Sequence, residues 1–413
     1  MRLKKTRLHI LHKPENLSKA AKTGISLHCH TLHSKEILDF IPYYAARIPV
    51  VKYFWKKESA RYFEREGKAP NFTTGYWSPP FTGHQVQEME AKQMRKFGLE
   101  AVVSITDHDC INANLEINET EGQNKNALSP ISMEWTVPFE YAFFHVGVHN
   151  LPPDCAARIT EQLLDYTRNA ESPNKEKLHE IFDSLNKIPE VLIVLNHPLW
   201  DIEMIGRERH DDLLKLFIEE HLHHIHAFEI NGFRSWSENK AVIQLAESLN
   251  VPLVSGGDRH CGKANTVINL TNAGSFSEFA EEVRVDKRSE VALMPEYRQP
   301  LHSRQIESIA EIIKYYPEFP EGRRSWFDRV HFDIGDGSGV QPLSVHWKGG
   351  GPQWLRRAIW AAGILGHKNM RPAFRLAMGR EERVPKQIIN GGGRTSTIIG
   401  EPFGDKRPLT DPV

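Results

Sequence analysis

From about residue 24 to about residue 270, short apolar runs alternate with stretches of helical periodicity. GISLHCH at 24–30 reads as a strand ending in polar residues, and EMEAKQMRKFGLEAVVSITDHD at 88–109 reads as a helix, a glycine stop and a strand. VLIVLNHP at 191–198 and HAFEING at 226–232 are further strands, and SENKAVIQLAESLNVPLVSGGDRH at 237–260 repeats the helix-to-strand order. Strands alternating with helices predict a parallel α/β sheet or barrel. In each strand the apolar run comes first and His, Asp or Asn stands at the C-terminal end. The C-terminal ends of parallel strands converge on one face, where such folds place active sites. The polar residues are therefore expected to meet.

Two regions break the pattern. Residues 38–88 are aromatic and basic with several prolines; they read as an inserted cap or lid beside the site mouth, or as an extra helix packed outside. After about residue 300 periodicity weakens. WLRRAIWAAGILGHKNM and the residues following it are helical and basic, with eight Lys or Arg against two Glu from 352 to 388. Trp354, Leu355, Ile359 and Trp360 are spaced for one apolar face, which favours packing against the main body or a second subunit over a membrane surface or nucleic acid. The stretch beginning NGGGRTS reads as poorly ordered. This divides the chain into an N-terminal arm (1–23), a main domain (24–290, with the insertion at about 38–88) and a C-terminal extension (291–413).

Composition narrows the function classes. The 413 residues carry 52 Lys or Arg against 53 Asp or Glu, so global charge gives no reason to expect a nucleic-acid binder. Four cysteines without CxxC spacing argue against a disulfide framework or a zinc finger. No apolar run approaches the length of a membrane span, and the basic start lacks a secretory apolar segment; a cytoplasmic location is expected. Histidine is the outlier. Seventeen of 21 fall before residue 261, so whatever uses them lies in the first two thirds.

His28 and His30 are two apart, and on a strand such residues share a face. Cys29 then points the other way, toward packing. ITDHD supplies Asp107, His108 and Asp109; ISMEWTVPFEYAFFHVGVHNL supplies Glu134 and His145, with Glu140 and His149 as spares. NHP gives His197, and GGDRH gives Asp258 and His260 behind two glycines that let the backbone bend close to a ligand. Each piece is ambiguous alone, but five strand ends carrying imidazole or carboxylate in one α/β region point to metal. Without thiolate the set suits Zn, Mn or Fe, and it exceeds what one four-coordinate ion uses. Two or three divalent ions are implied. HLHHIH at 221–226 follows LLKLFIEE as a helix end and is expected to face solvent.

The order HxH, TDHD, Glu then His, NHP and GGDRH resembles the polymerase and histidinol phosphatase (PHP) superfamily over roughly residues 24 to 270. The resemblance implies a distorted seven-stranded β/α barrel, a bi- or trinuclear metal centre and phosphoester hydrolysis. It implies one metal on His28, His30, Glu134 and Asp258, a second sharing Glu134 with His145 and His197, and a third on Glu36, His108 and His260. One position departs from the family: where members often carry Asp, seven residues after the first His, this chain has Lys35. Glu36 stands next to it, His33 competes for the third metal, and Lys35 is a candidate to meet a substrate phosphate.

The expected activity is metal-assisted hydrolysis of a small phosphorylated substrate, a phosphomonoester, nucleotide or phosphodiester, by a metal-activated water. Asp258, His260 and Glu134 are the expected catalytic groups, and Asp107 or Asp109 would orient a ligand histidine. Arg234 in NGFRSW is a candidate phosphate clamp, or a surface salt bridge; Arg259 is expected to be structural. Two alternatives remain: hydrolysis of a carbon–nitrogen bond, as in related β/α barrel enzymes that also begin with HxH, and a non-catalytic metal-binding regulatory module.

Overall fold

The computed structural model describes residues 5–14, 16–38, 49–67, 72–121, 129–171, 173–347 and 351–370, with residues 69 and 384. The strands are β1 (Thr6–Ile10), β2 (Thr23–Ser26), β3 (Glu36–Ile37), β4 (Tyr76–Trp77), β5 (Glu100–Val103), β6 (Ile131–Phe139), β7 (Ala142–Leu151), β8 (Leu192–Leu195), β9 (Ala227–Asn231), β10 (Leu253–Gly256), β11 (Val267–Thr271), β12 (Ser289–Leu293), β13 (Val330–Phe332) and β14 (Gln341–Pro342). They form two five-stranded sheets, β1-β12-β11-β2-β5 and β10-β9-β8-β7-β6, and a small four-stranded sheet, β14-β13-β4-β3. β1, from within the first 23 residues, runs parallel to β12.

Local chemistry sets the elements. β6 and β7 join through a two-residue turn, Glu140–Tyr141, in which Glu140 takes φ 53°. The helix Gly83–Lys96 starts at a capping box between Thr82 and Gln85. The helix Trp236–Leu249 starts at Ser235, whose side chain accepts from Glu238 N–H, and stops at Asn250 in the left-handed conformation. Trp135, Phe139, Phe182, Phe217 and Phe228 are completely or almost completely buried between the second sheet and its helices.

The alternation read from the sequence is present, and the chain is a mixed α/β protein. Among the described residues the ladders do not close a seven-stranded barrel. β6 and β7 are antiparallel to their neighbours, and the two large sheets meet at seams of one isolated bridge each, His108 with Glu134 and Cys29 with Arg259. At the second seam the Asn269 carboxamide replaces a ladder: it accepts from Ser255 N–H at 2.8 Å and donates to the carbonyl of Ile25 at 3.3 Å. Polar residues interrupt pairing where the strand ends converge.

The small sheet covers that convergence. Glu36 of β3 pairs with Trp77 of β4, and β4 pairs with β13 from the C-terminal part of the chain. Of the insertion, residues 39–48 lie outside the described residues, and the helix Pro49–Glu66 follows. The basic C-terminal helix spans Gln353–Leu365. A Cβ at Gly366, just past its end, would meet the Ala310 Cβ on the helix Leu301–Ile313, so the two elements lie close. Trp360 is 70% exposed, which removes it from the expected buried face. The glycine-rich tail from residue 390 onward lies outside the described residues.

Candidate metal centre

β2 ends at Ser26, so His28 and His30 stand beyond the ladder rather than on a regular pleat. His28 takes φ 62°, and the two rings still approach to 5.1 Å between centroids. Asp109, His197 and Asp258 also take positive φ, at 51°, 26° and 49°. Such backbone is costly for residues other than glycine and collects where surrounding structure fixes a functional geometry. The strand ends turn sharply into one buried cluster.

Glu134 is its hub. Oε2 lies 2.9 Å from His28 Nε2, 3.4 Å from His30 Nε2 and 3.3 Å from His108 Nδ1. Oε1 lies 3.2 Å from both His145 Nδ1 and His197 Nε2 and accepts from Asn196 Nδ2 at 2.9 Å. Glu36 forms a second node, with Oε2 at 3.3 Å from His108 Nε2 and 3.1 Å from His260 Nε2. Asp258 Oδ1 lies 3.6 to 3.9 Å from His260, His30 and His28. Glu36, rather than His33, stands with His30, His108 and His260; His33 instead lies 3.1 Å from Glu116.

The donors fit divalent metal. Nε2 of His30, Nδ1 of His145 and Nε2 of His260 are buried without a hydrogen bond. Carboxylate oxygens lie 3.1 to 3.4 Å away from each, so proximity is present but the angles are wrong. Imidazoles so placed are unsatisfied among themselves, and a bound cation would complete them. Four groups inside the cluster hold their donor atoms within 4.8 Å of one another: His30, Glu36, His108 and His260; His28, His30 and Glu134; His108, Glu134 and His145; and His28, His197 and Glu229.

Electrostatics tell the same story in protons. Burial opposes charge on His28, but Glu134 and Glu229 outweigh it and raise its pKa well above the usual range. His108 is pushed to about 10 against burial by Glu36 and Glu134, and His260 is raised against burial by Glu36 and Asp258. Burial and the neighbouring His260 lower His30, and burial takes His145 down to about 4. Glu134, Glu36 and Asp258 resist burial and stay well below the carboxylate range because imidazoles surround them.

Several residues play parts the sequence did not reveal. Glu229, buried in β9, places Oε1 2.5 Å from His28 Nδ1 and accepts from His197 N–H at 2.8 Å and from Asn231 Nδ2 at 2.9 Å. Gly256 makes room for it, since a Cβ there would fall 1.5 Å from Glu229 Oε1. The second glycine, Gly257, accommodates Asn265 in the same way. Arg259 pairs with buried Glu90 at 2.8 Å, and Cys29 is buried with Sγ 3.5 Å from the Ser104 carbonyl.

Other placements correct the reading. Asp107 accepts from Thr31 N–H at 2.5 Å and Thr31 Oγ1 at 2.6 Å, and Asp109 accepts from Thr136 N–H at 2.9 Å. Asp107 thus ties its turn to the segment after β2, and Asp109 ties its turn to the backbone of β6, rather than either bonding an imidazole. Burial raises both to about 6. Lys35 is exposed, its Nζ 5.3 Å from the Tyr76 ring centroid. Arg234 is not a surface residue: its guanidinium stacks 3.4 Å over Trp200, Nη2 lies 3.7 Å from Asp258 Oδ2, and Nε is buried without a hydrogen bond. In HLHHIH, His221, His224 and His226 are buried, because the helix Arg207–His221 turns inward through a short 3-10 segment; only His223 is exposed among these four.

No family model matches the chain, and no curated protein matches it. Among solved structures it is similar to an amidohydrolase from Chromobacterium violaceum with bound sulfate and no metal (TM-score 0.29, 15% identity, 45% of this chain and 84% of that one). It is also similar to a candidate metal-dependent phosphoesterase from Bifidobacterium adolescentis (0.34, 14%, 64% and 97%) and to PsfC from Pseudomonas syringae PB-5123 (0.31, 10%, 67% and 93%). Likenesses this distant set no activity for this chain.

Proposed function

We propose that this chain is a metal-dependent phosphoesterase of the PHP type, holding two or three divalent ions and hydrolysing a small phosphorylated substrate. The observation that carries this reading is Glu134, a buried carboxylate with five imidazoles distributed over its two oxygens. A carboxylate so placed suits a bridge between ions. In this reading β2 and β5 to β10 are the seven strands of a distorted ring whose two seams are single bridges.

His28, His30, Glu134 and Asp258 would hold one ion, Glu134, His145 and His197 a second, and Glu36, His108 and His260 a third. Bound there, the ions supply Lewis acidity toward phosphoryl oxygen and lower the pKa of water. Glu229 fixes the His28 ring by accepting its Nδ1 proton, which leaves Nε2 as donor toward the centre. Arg234, held flat on Trp200 beside Asp258, offers a planar fork to phosphate oxygens. Asp258 and His260, whose Oδ1 and Nδ1 lie 3.6 Å apart, would carry a proton to the leaving oxygen. Trp77, its ring 5.8 Å from that of His260, limits water at the same edge.

The test is hydrolysis of a panel of phosphomonoesters, nucleotides and phosphodiesters by purified protein supplied with Mn or Zn, beside a panel of amides and cyclic imines. The reading expects phosphoester turnover that His28→Ala abolishes. Turnover confined to amides would replace it with the carbon–nitrogen hydrolase, and no turnover with either panel would leave a binding module.

A further inference from the structure

A second group of histidines stands apart from the centre. The helix Lys175–Asn186 places His179 and Asp183 one turn apart on the same face, with His179 Nε2 3.9 Å from Asp183 Oδ2. The 3-10 turn Leu222–His224 brings His223 and His224 against them. Ring centroids lie 4.9 Å apart for His179 and His224, 5.6 Å for His179 and His223, and 3.8 Å for His223 and His224. One nitrogen from each ring lies within 4.8 Å of the others. His224 is completely buried, its Nε2 2.8 Å from Asp183 Oδ1, its Nδ1 without a hydrogen bond and its ring stacked on Phe182.

We propose that His179, His223 and His224, with the carboxylate of Asp183, form a separate structural site for one transition-metal ion such as Zn²⁺. Three imidazoles and one carboxylate match the nitrogen and oxygen donor set that borderline divalent ions take in four-coordinate sites. Donors around tetrahedral zinc stand about 3.4 Å apart for bonds near 2.1 Å. The three ring nitrogens lie within 4.8 Å of one another, and His179 and His223, both exposed, would turn to close that spacing around the ion beside Asp183. His224 and Asp183 are already fixed against each other, so the half of the site that is costly to order is in place.

The position gives the ion a task. The helix Lys175–Asn186 leads into β8, and the 3-10 turn leads into β9, so the cluster sits at the N-terminal ends of two parallel strands. The far end of β8 runs into His197, and β9 carries Glu229. An ion here would tie together the segments that enter both strands, at the end opposite the main centre. It would stabilise that pairing without touching substrate. The inference does not depend on the activity proposed above.

The experiment compares the full chain with His179→Ala/His223→Ala. Both are loaded with Zn²⁺, passed over gel filtration and assayed for metal per chain, and both are melted with and without Zn²⁺. Both replaced side chains are exposed, and far-UV circular dichroism checks that the variant folds; His223→Gln serves if it does not. The proposal expects one equivalent fewer in the variant, and a Zn²⁺-induced rise in melting temperature that is smaller by several degrees. Co²⁺ should give tetrahedral visible bands that the variant loses. Equal metal content and equal melting shifts in the two proteins would overturn it, as would wild-type retention that competes no better than about 0.1 mM affinity. A main centre that binds no ion would lower both counts together and leave the difference of one intact.

Discussion

Nδ1 of His28 stands 2.5 Å from Oε1 of Glu229. That contact fixes the ring whose other nitrogen faces Glu134, and Glu229 also holds the backbone N–H of His197. One carboxylate thus positions two separate ligand candidates. Glu229→Gln should keep the fold and lower metal affinity by roughly 10- to 100-fold, the usual effect of removing an orienting carboxylate. Competitive metal titration against a chelating dye measures it; unchanged affinity would make Glu229 a packing residue.

Gly256 should behave as a surrogate for Glu229. A Cβ at this position would fall inside the Glu229 carboxylate, so Gly256→Ala must displace either the strand or the acid. The variant is expected to lose at least as much metal affinity as Glu229→Gln and to melt several degrees lower, while Gly67→Ala, whose Cβ meets nothing, should leave metal affinity intact.

Arg234 is stacked on Trp200 next to Asp258, so its planar shape matters as well as its charge. Arg234→Lys keeps the charge and loses the stacked fork. For a phosphorylated substrate kcat/KM should fall about tenfold or more, carried mainly by KM, with metal content unchanged. Steady-state kinetics on the best substrate of the phosphoester panel decides it, and equal kinetics in both proteins would remove Arg234 from substrate binding.

Metal uptake should release protons. His108, at about 10, holds a proton at neutral pH, and His28 and His260 are shifted in the same upward direction by the carboxylates around them, which stay ionised. An ion taking those nitrogens displaces the protons, so apparent affinity rises with pH through the neutral range and falls as pH drops. Calorimetry in buffers of differing ionisation enthalpy should register net proton release on metal binding at pH 7; binding enthalpies that are independent of buffer would contradict this.

Much of the candidate site is legible because its candidate ligands stand at strand ends, where an apolar run stops at His28, His108, His197 or Asp258. Sequence order and spacing carry that signal. Glu229 escapes a local reading because it lies inside a strand among apolar neighbours, and its trace is Gly256 on the adjacent strand, whose missing side chain leaves space for the acid. The sheet over the site escaped because β3 and β4 are two residues each and β4 pairs with β13 far along the chain. Such short strands have no readable period. The buried histidines of 221–226 defeat a local reading because a helix end ordinarily faces solvent, whereas tertiary packing against Phe182 and Phe217 turns His221 inward. The single-bridge seams depend on long-range pairing geometry that no local pattern records.

The central claim is that Glu134 bridges ions, and the most direct measurement is metal content per chain with and without it. In the His179→Ala/His223→Ala background, which removes the peripheral cluster, purified protein loaded with Mn or Zn should retain two or three ions. Adding Glu134→Ala should remove at least two while the fold persists. Retention of less than one ion before the change, or an unchanged count after it, would contradict the account.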